Sequence, residues 1–340
     1  MNVAVVFGGS GFIGTHFSRY LILENGFDLV YLADIKPVCE TRCYGELEEL
    51  IKKGQVKYVS SDVREAIDLE ITGVTLIANF AAVHREPGHI DSEYFETNLL
   101  GAENVCDWAS RIECNNIIFT SSIAPYGPTE DKKKEIDLPV PISPYGASKL
   151  VAEKIHLSWA KEDSRRKLVI VRPGVVFGPR EGGNVTRLVQ AIRKGYFFYM
   201  GNQDTRKAGV YVKELCHALI WVNQHVNKSE SESVVLFNMT FNPGPSVQEY
   251  VEDIQKVLGL KRTVYAMPFW IVYNSSFLLT SIGKLLKKEH PFSPVRVRKL
   301  VRSNNIVPGW LQDHGYEYKY SLYSALMDWR DECPNEWGLR

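Results

Sequence analysis

The first two-thirds of the chain alternates two kinds of pattern. Val3–Phe7, Leu29–Ala33, Val56–Val59, Leu76–Phe80, Ile117–Thr120 and Leu168–Val171 are short runs rich in Val, Ile and Leu. Runs of this length and composition read as strands buried on both faces. Between them, residues 12–24, 92–112 and 146–161 carry apolar positions at helical spacing. Regular alternation of buried strand and amphipathic helix predicts an α/β protein with a doubly wound parallel Rossmann sheet.

After Arg172 the pattern loosens. Pro173, Gly174, Gly178, Pro179, Gly182 and Gly183 punctuate a loop-rich stretch, and Val234–Asn238 reads as one more strand returning to the first sheet. The expected organisation is a dinucleotide-binding domain from residues 1–172 and 208–242, with a smaller, mixed substrate lobe from 173–207 and 243–340. The polar stretch Thr129–Asp137, which includes Lys132–Lys134, reads as a solvated loop.

Composition narrows the picture mainly by exclusion. Lys plus Arg and Asp plus Glu number 40 each in 340 residues, which gives no basic field for nucleic acid. The six cysteines, Cys39, Cys43, Cys106, Cys114, Cys216 and Cys333, form no CxxC pair. Reduced thiols are expected, with no metal centre. Residues 3–7 run straight into a glycine motif, with no charged n-region before an apolar core, so a cytoplasmic location is expected.

Gly8-Gly9-Ser10-Gly11-Phe12-Ile13-Gly14 follows the first strand and opens a helix. Glycines at 8, 11 and 14 allow a tight turn and close approach to a pyrophosphate, while the helix start at Phe12 and Ile13 offers free amides. Asp34 ends the second strand, where a carboxylate accepts ribose hydroxyls and repels a 2′-phosphate, favouring NAD over NADP. Lys36, two residues on, softens that preference. Asp62-Val63 suits the adenine edge, and Ala81-Ala82 suits close packing beside the cofactor. Either pair equally suits ordinary loop chemistry.

Tyr145-Gly146-Ala147-Ser148-Lys149 places a phenol and an ammonium four residues apart, on one face of a helix that Ser143-Pro144 opens. The ammonium lowers the phenol pKa from its usual value near 10, so a phenolate can act as base. Thr120-Ser121-Ser122 ends the fifth strand. Ser122 is the expected partner hydroxyl by register, with Ser121 as the alternative.

With GGSGFIG, Asp34, FTSSIAPYG, SPYGASK and RPGVVFGPREGGN in this order, residues 1–215 resemble the extended short-chain dehydrogenase/reductases. The resemblance implies tightly bound NAD, a Ser122–Tyr145–Lys149 site, and Arg172-Pro173 and Val210-Tyr211-Val212 near cofactor and substrate. An acidic residue is common in that family where Lys213 stands. Sugar 4,6-dehydratases of the family carry Asp-Glu just after the hydroxyl, and the decarboxylases carry Glu at the second place. Ile123-Ala124 stand here, and neither side chain transfers a proton. Epimerisation, or net oxidation or reduction of one carbinol, remains.

The stretches 81–86, 180–185 and 293–299 resemble bacterial 4-epimerases of polyprenyl-diphosphate-linked N-acetylglucosamine. The resemblance implies a sugar on a diphosphate carrier, with His84, Arg85, Ser122 and Asn184 at the substrate. An ion pair between Arg85 and Glu86 is the plainer reading of Arg85. The expected activity is thus an NAD-dependent C4 epimerase of a nucleotide- or polyprenyl-diphosphate-linked N-acetylhexosamine. A hydroxysteroid or sterol-type dehydrogenase, or a sugar 4-ketoreductase, is the alternative within the superfamily. A non-catalytic NAD sensor is the alternative outside it, disfavoured because Ser122, Tyr145 and Lys149 are all in place.

Thr263–Gly283 carries no charge and holds an aromatic stripe of Trp270, Tyr273 and Phe277. It is too polar for a confident spanning helix, but Lys284, Lys287, Lys288, Arg296, Arg298, Lys299 and Arg302 follow. Residues 266–302 therefore suit either a helix lying in a lipid interface or a core helix with a solvated basic neighbour. Family members often dimerise through two helices, and here 92–112 and 146–161 are the counterparts.

Overall fold

The computed structural model describes residues 1–39, 42, 45–85, 88–285 and 301–339, with backbone alone for 278–285. Seven parallel strands build one sheet. In chain order they are β1 (Val3–Phe7), β2 (Leu29–Asp34), β3 (Val56–Ser60), β4 (Val74–Asn79), β5 (Asn116–Thr120), β7 (Lys167–Pro173) and β11 (Val234–Met239). Their spatial order is β11-β7-β5-β4-β1-β2-β3. The chain starts at β1, builds outward to β3, then returns past β1 to β4 and builds the other way. That reversal opens a crevice at the carboxyl ends of β1 and β4, where ligands bind in doubly wound sheets.

The expected strands and helices are all present. Every residue of β1 is buried, as a strand covered on both faces requires. Helices α1 (Phe12–Asn25), α2 (Gly45–Lys52) and α6 (Val212–Lys228) contribute to the core on one face, and α3 (Asp91–Arg111) with α4 (Pro144–Lys161) to that on the other. Local chemistry sets helix ends. Gly26 closes α1 in the left-handed conformation, its N–H returning to the Leu21 carbonyl. Ser143 caps α4 by accepting from the Gly146 N–H at 3.2 Å, with Pro144 in the first turn. The strand expected at Val234–Asn238 joins the sheet edge beside β7.

The reading of Thr129–Asp137 as a solvated loop needs correction. Thr129–Lys133 forms a strand, β6, which pairs in parallel with the short strand Asn304–Ile306. The pairing partner lies far along the chain, and β6 is half exposed, so its sequence shows no alternation. Beyond it, Glu135 accepts the Asn238 N–H at 2.8 Å and ties this connection to β11.

A further apolar cluster gathers Phe177 from β8 (Val175–Phe177), residues of α5 (Asn184–Lys194), Tyr199 from β9 (Tyr199–Met200) and Tyr211 from β10 (Gly209–Tyr211). It also takes residues of α7 (Val247–Val257), and Trp329 and Trp337 from the C-terminal segment. Strands β8 and β10 pair in parallel and lead into α6. Lys213 lies 2.6 Å from both Asp328 and Glu332, so the cation at this position clamps helix Leu322–Glu332 to the start of α6.

Candidate functional site

The turn after β1 leaves room for backbone and nothing else. Gly8 has φ 72°, and a Cβ there would stand 2.7 Å from the Ala81 nitrogen. A Cβ on Gly14 would stand 2.5 Å from the Gly8 carbonyl oxygen. Phe12 and Ile13 form the first turn of α1, half-buried. The result is a glycine-lined cradle at a helix N-terminus, the arrangement that suits a pyrophosphate.

Asp34 ends β2 beside this cradle. Its Oδ2 accepts the Ser10 N–H at 3.1 Å. Burial pushes its pKa up, opposed by backbone N–H groups of Ser10, Lys36 and Ile35. The carboxylate is thus fixed against the turn that would carry the diphosphate. Ala81 and Ala82 continue from β4, half-buried. Val63 is buried against Gly101, while the Asp62 carboxylate is gripped by the Arg64 guanidinium, with contacts of 2.5 to 3.0 Å. That contact holds Asp62 below its usual pKa.

Tyr145, Lys149 and Glu153 follow at four-residue spacing and share one face of α4. Lys149 is 2 % exposed, its Nζ 4.6 Å from the centre of the Phe119 ring. Burial pushes its pKa down to about 7, and the negative charge of Glu153 opposes the shift. Close by, Glu153 is itself fully buried and receives three bonds: Ser121 Oγ at 2.5 Å, Arg172 Nε at 2.8 Å and Arg172 Nη2 at 2.6 Å. The Arg172 guanidinium also lies over Tyr126, 4.7 Å from the ring centre. This network separates the two serines. The Ser121 hydroxyl is committed to Glu153, whereas Ser122 is half-buried and its Oγ accepts the Ala124 N–H at 3.1 Å. Glu153 escaped the sequence reading because a glutamate in a helix ordinarily reads as surface. Its spacing from Tyr145 and Lys149 was the available signal.

The Tyr145 ring stands 6.1 Å from Tyr94 of α3, and the Tyr94 hydroxyl donates to the Arg85 carbonyl. The connection after β4, which carries His84 and Arg85, is thereby tied close to Tyr145. Burial and the positive charges of Arg85, Lys149 and His89 push the His84 pKa down. Asn98 fixes the same connection, exchanging bonds with Val83 and donating to Ser148 at 2.9 Å. The alternative partner of Arg85, Glu86, lies outside the described residues. Pro173 ends β7, and its carbonyl accepts the Ile123 N–H at 3.2 Å, linking it to the Ser122 turn. Asn184 is exposed at the start of α5 and accepts from Arg187 at 2.8 Å.

A glycine cradle, a carboxylate fixed beside it and a Tyr–Lys pair on one helix face are an arrangement that suits a dinucleotide-dependent enzyme acting on a carbinol. The chain belongs to the NAD dependent epimerase/dehydratase family, whose pattern matches residues 4–237. Its cofactor is NAD, and the cradle and Asp34 described above fit that group.

Among known proteins, the chain is similar to the N-acetyl-alpha-D-glucosaminyl-diphospho-ditrans,octacis-undecaprenol 4-epimerase of Escherichia coli O157:H7. The two are 26% identical over 96% of this chain and 93% of the relative. It is also similar to the decarboxylating sterol-4-alpha-carboxylate 3-dehydrogenase of Mus musculus, 24% identical over 86% of this chain and 80% of that one. The fold matches the UDP-N-acetylglucosamine 4-epimerase of Methanobrevibacter ruminantium M1, with a TM-score of 0.74, 20% identity and 98% of each chain covered.

Proposed function

We propose that this protein is a sugar C4 epimerase acting on an N-acetylhexosamine carried on a diphosphate, through a transient 4-keto sugar. One observation carries the reading. Tyr145 and Lys149 share one face of α4, which packs at Gly146 against Ala124 just after Ser122, while the two residues after Ser122, Ile123 and Ala124, offer no second acid or base. The site can therefore move a proton at one carbinol oxygen and do little else.

Tyr145 is assigned as the base that takes the proton from the sugar O4 and later returns it. Lys149 steadies the phenolate, and the developing anion offsets the burial that otherwise lowers the lysine pKa. Ser122 donates to the O4 oxygen as charge develops there. When bound, NAD would supply reversible hydride transfer at C4 of the sugar. Gly8, Gly11, Phe12, Ile13 and Gly14 would hold its diphosphate, and Asp34 its adenosine ribose. Asp62, Val63, Ala81, Ala82 and Pro173 would line its remaining length. His84, Arg85 and Asn184 are assigned to the sugar and its carrier. In this reading residues 1–172 and 208–242 hold the cofactor, and 173–207 and 243–340 hold the sugar.

A polyprenyl carrier is preferred over a nucleotide, with peripheral membrane contact through residues 266–302. Among the described residues no helix is long and apolar enough to cross a membrane. Helix Phe269–Leu285 nevertheless leaves Trp270 66% and Phe277 50% exposed, with Tyr265 and Met267 exposed just before it. Exposed aromatics beside a basic stretch suit a lipid headgroup layer. The lysine cluster at 287 and 288, the segment 293–299 and the Lys284 side chain lie outside what is described. Dimerisation through α3 and α4 is supported by their mutual packing and by exposed Phe95, Leu100 and Val151 on them.

The test is incubation of purified protein with N-acetylglucosamine linked to UDP and to a polyprenyl diphosphate. The 4-epimer should form from both, faster from the lipid-linked sugar in vesicles. Failure to epimerise either would remove the proposal. Efficient turnover of the UDP sugar alone would return the carrier assignment to a nucleotide.

A further inference from the structure

Three side chains of metal-ligating type, two from the end of α6 and the α6–β11 connection and one from the C-terminal segment, converge at the edge of the sheet, beside β11 and away from the cofactor crevice. His225 stands in the last turn of α6, Glu232 in the connection to β11, and His314 at the end of helix Gly309–Asp313. One donor atom from each lies within 4.8 Å of the other two. His225 Nε2 and a Glu232 carboxylate oxygen are already 3.0 Å apart. Tetrahedral zinc, with bonds near 2.1 Å, sets neighbouring donors about 3.4 Å apart. Closing the rest of the gap asks only a modest turn of His314, which is exposed.

The surroundings of the His314 imidazole are those of a built ligand. His314 Nδ1 donates to the Trp310 carbonyl at 2.8 Å, which fixes the tautomer and leaves Nε2 with its lone pair. A backbone carbonyl on the far nitrogen is the usual partner of a metal-bound histidine. Trp310 stacks on the His314 ring at 3.9 Å, and its indole meets the His225 ring edge-on at 5.3 Å. Trp221 stacks parallel to His225 on the helix below. Both rings are therefore held by indoles.

We propose that His225, Glu232 and His314 bind a divalent transition-metal ion of the zinc class, with solvent completing the shell. Two imidazoles and one carboxylate suit zinc, nickel or cobalt better than magnesium or calcium. The ion would pin the segment 309–316 onto the α6–β11 connection. That segment already docks there through Tyr316, whose hydroxyl meets His217 and Glu214. The proposed ion is a structural clip, independent of the sugar chemistry.

The experiment is a zinc titration of the full chain against a chromogenic competitor, with tryptophan fluorescence under nickel as a second signal. Wild type should take up one zinc with micromolar affinity and melt higher with zinc present. His314→Ala and Glu232→Gln should each weaken binding at least tenfold, with epimerase turnover unchanged. His314→Phe, which keeps the stack on Trp310, controls for misfolding and should lose zinc equally. A Cys39→Ser variant tests the exposed thiol. Zinc uptake unchanged in the His314 variants, or abolished by Cys39→Ser, or absent from wild type at 100-fold excess over ~1 µM, would overturn the proposal.

Discussion

Two helices of this protein differ in what they leave unsatisfied. On α4, the face of Tyr145, Lys149 and Glu153 is closed on itself, with Glu153 bonded three times and Lys149 packed on Phe119. Helix Phe269–Leu285 instead buries Val272 and Ser276 and turns Trp270 and Phe277 outward. In the proposed reading the first helix specifies chemistry, because internal contacts fix its groups whatever the substrate. In the proposed reading the second specifies the substrate's surroundings, its exposed aromatics facing a lipid surface.

Five predictions sharpen that contrast, from the largest effect to the smallest. Tyr145→Phe should lower kcat by about 10²–10⁴-fold with the fold and NAD affinity retained. Turnover near wild type would break the assignment of α4 as the catalytic face. Glu153→Gln leaves the Arg172 guanidinium buried without its counter-charge, at a cost of about 3–5 kcal/mol seen in denaturant melts. A cost below about 1 kcal/mol would show that this face is not closed in the way described. Asp34→Ala should weaken NAD about tenfold and NADP less, read by equilibrium titration. Tighter NADP than NAD in the wild type would contradict the ribose assignment.

The fourth prediction breaks the other side of the comparison. Trp270→Ser with Phe277→Ser should abolish flotation with anionic liposomes while sparing turnover of a UDP sugar. Equal flotation of this variant would remove helix Phe269–Leu285 as the lipid contact. The fifth concerns pH. The Lys149 pKa is about 7 in the fold and near 10.5 unfolded, so between these values the unfolded chain binds the extra proton. Stability should therefore rise with pH across 7 to 10.5, and Lys149→Met should flatten that rise and raise the apo melting temperature at pH 7 by a few degrees. His16 and His156, buried with pKa values near 4, act at the other end. Below pH 6.5 the unfolded chain protonates first, so stability falls between 6.5 and 4. An apo melting temperature flat over both windows would deny that these groups are held neutral by burial.

Elements with a local signature were legible in the sequence. Buried strands announce themselves by composition, and the glycine turn by the backbone it must permit. Asp34, Tyr145 and Lys149 stand at fixed offsets from such elements, so their placement followed. What depends on meeting across the chain did not show. Thr129–Lys133 becomes a strand only because Asn304–Ile306 comes alongside. Glu153 is buried only because Arg172 arrives from β7. His225 and His314 meet only because the C-terminal segment folds back over α6. The departure at Lys213 also finds its reason at a distance, in Asp328 and Glu332.

The central claim is that one carbinol is oxidised and reduced again within a single binding event. Epimerisation of UDP- and lipid-linked N-acetylglucosamine deuterated at C4, followed by mass spectrometry of product and cofactor, tests it directly. The account predicts that the label stays at C4 of the epimer, with no NADH accumulating. Label recovered in released NADH, together with an accumulating 4-keto product, would make the protein a net dehydrogenase and contradict it.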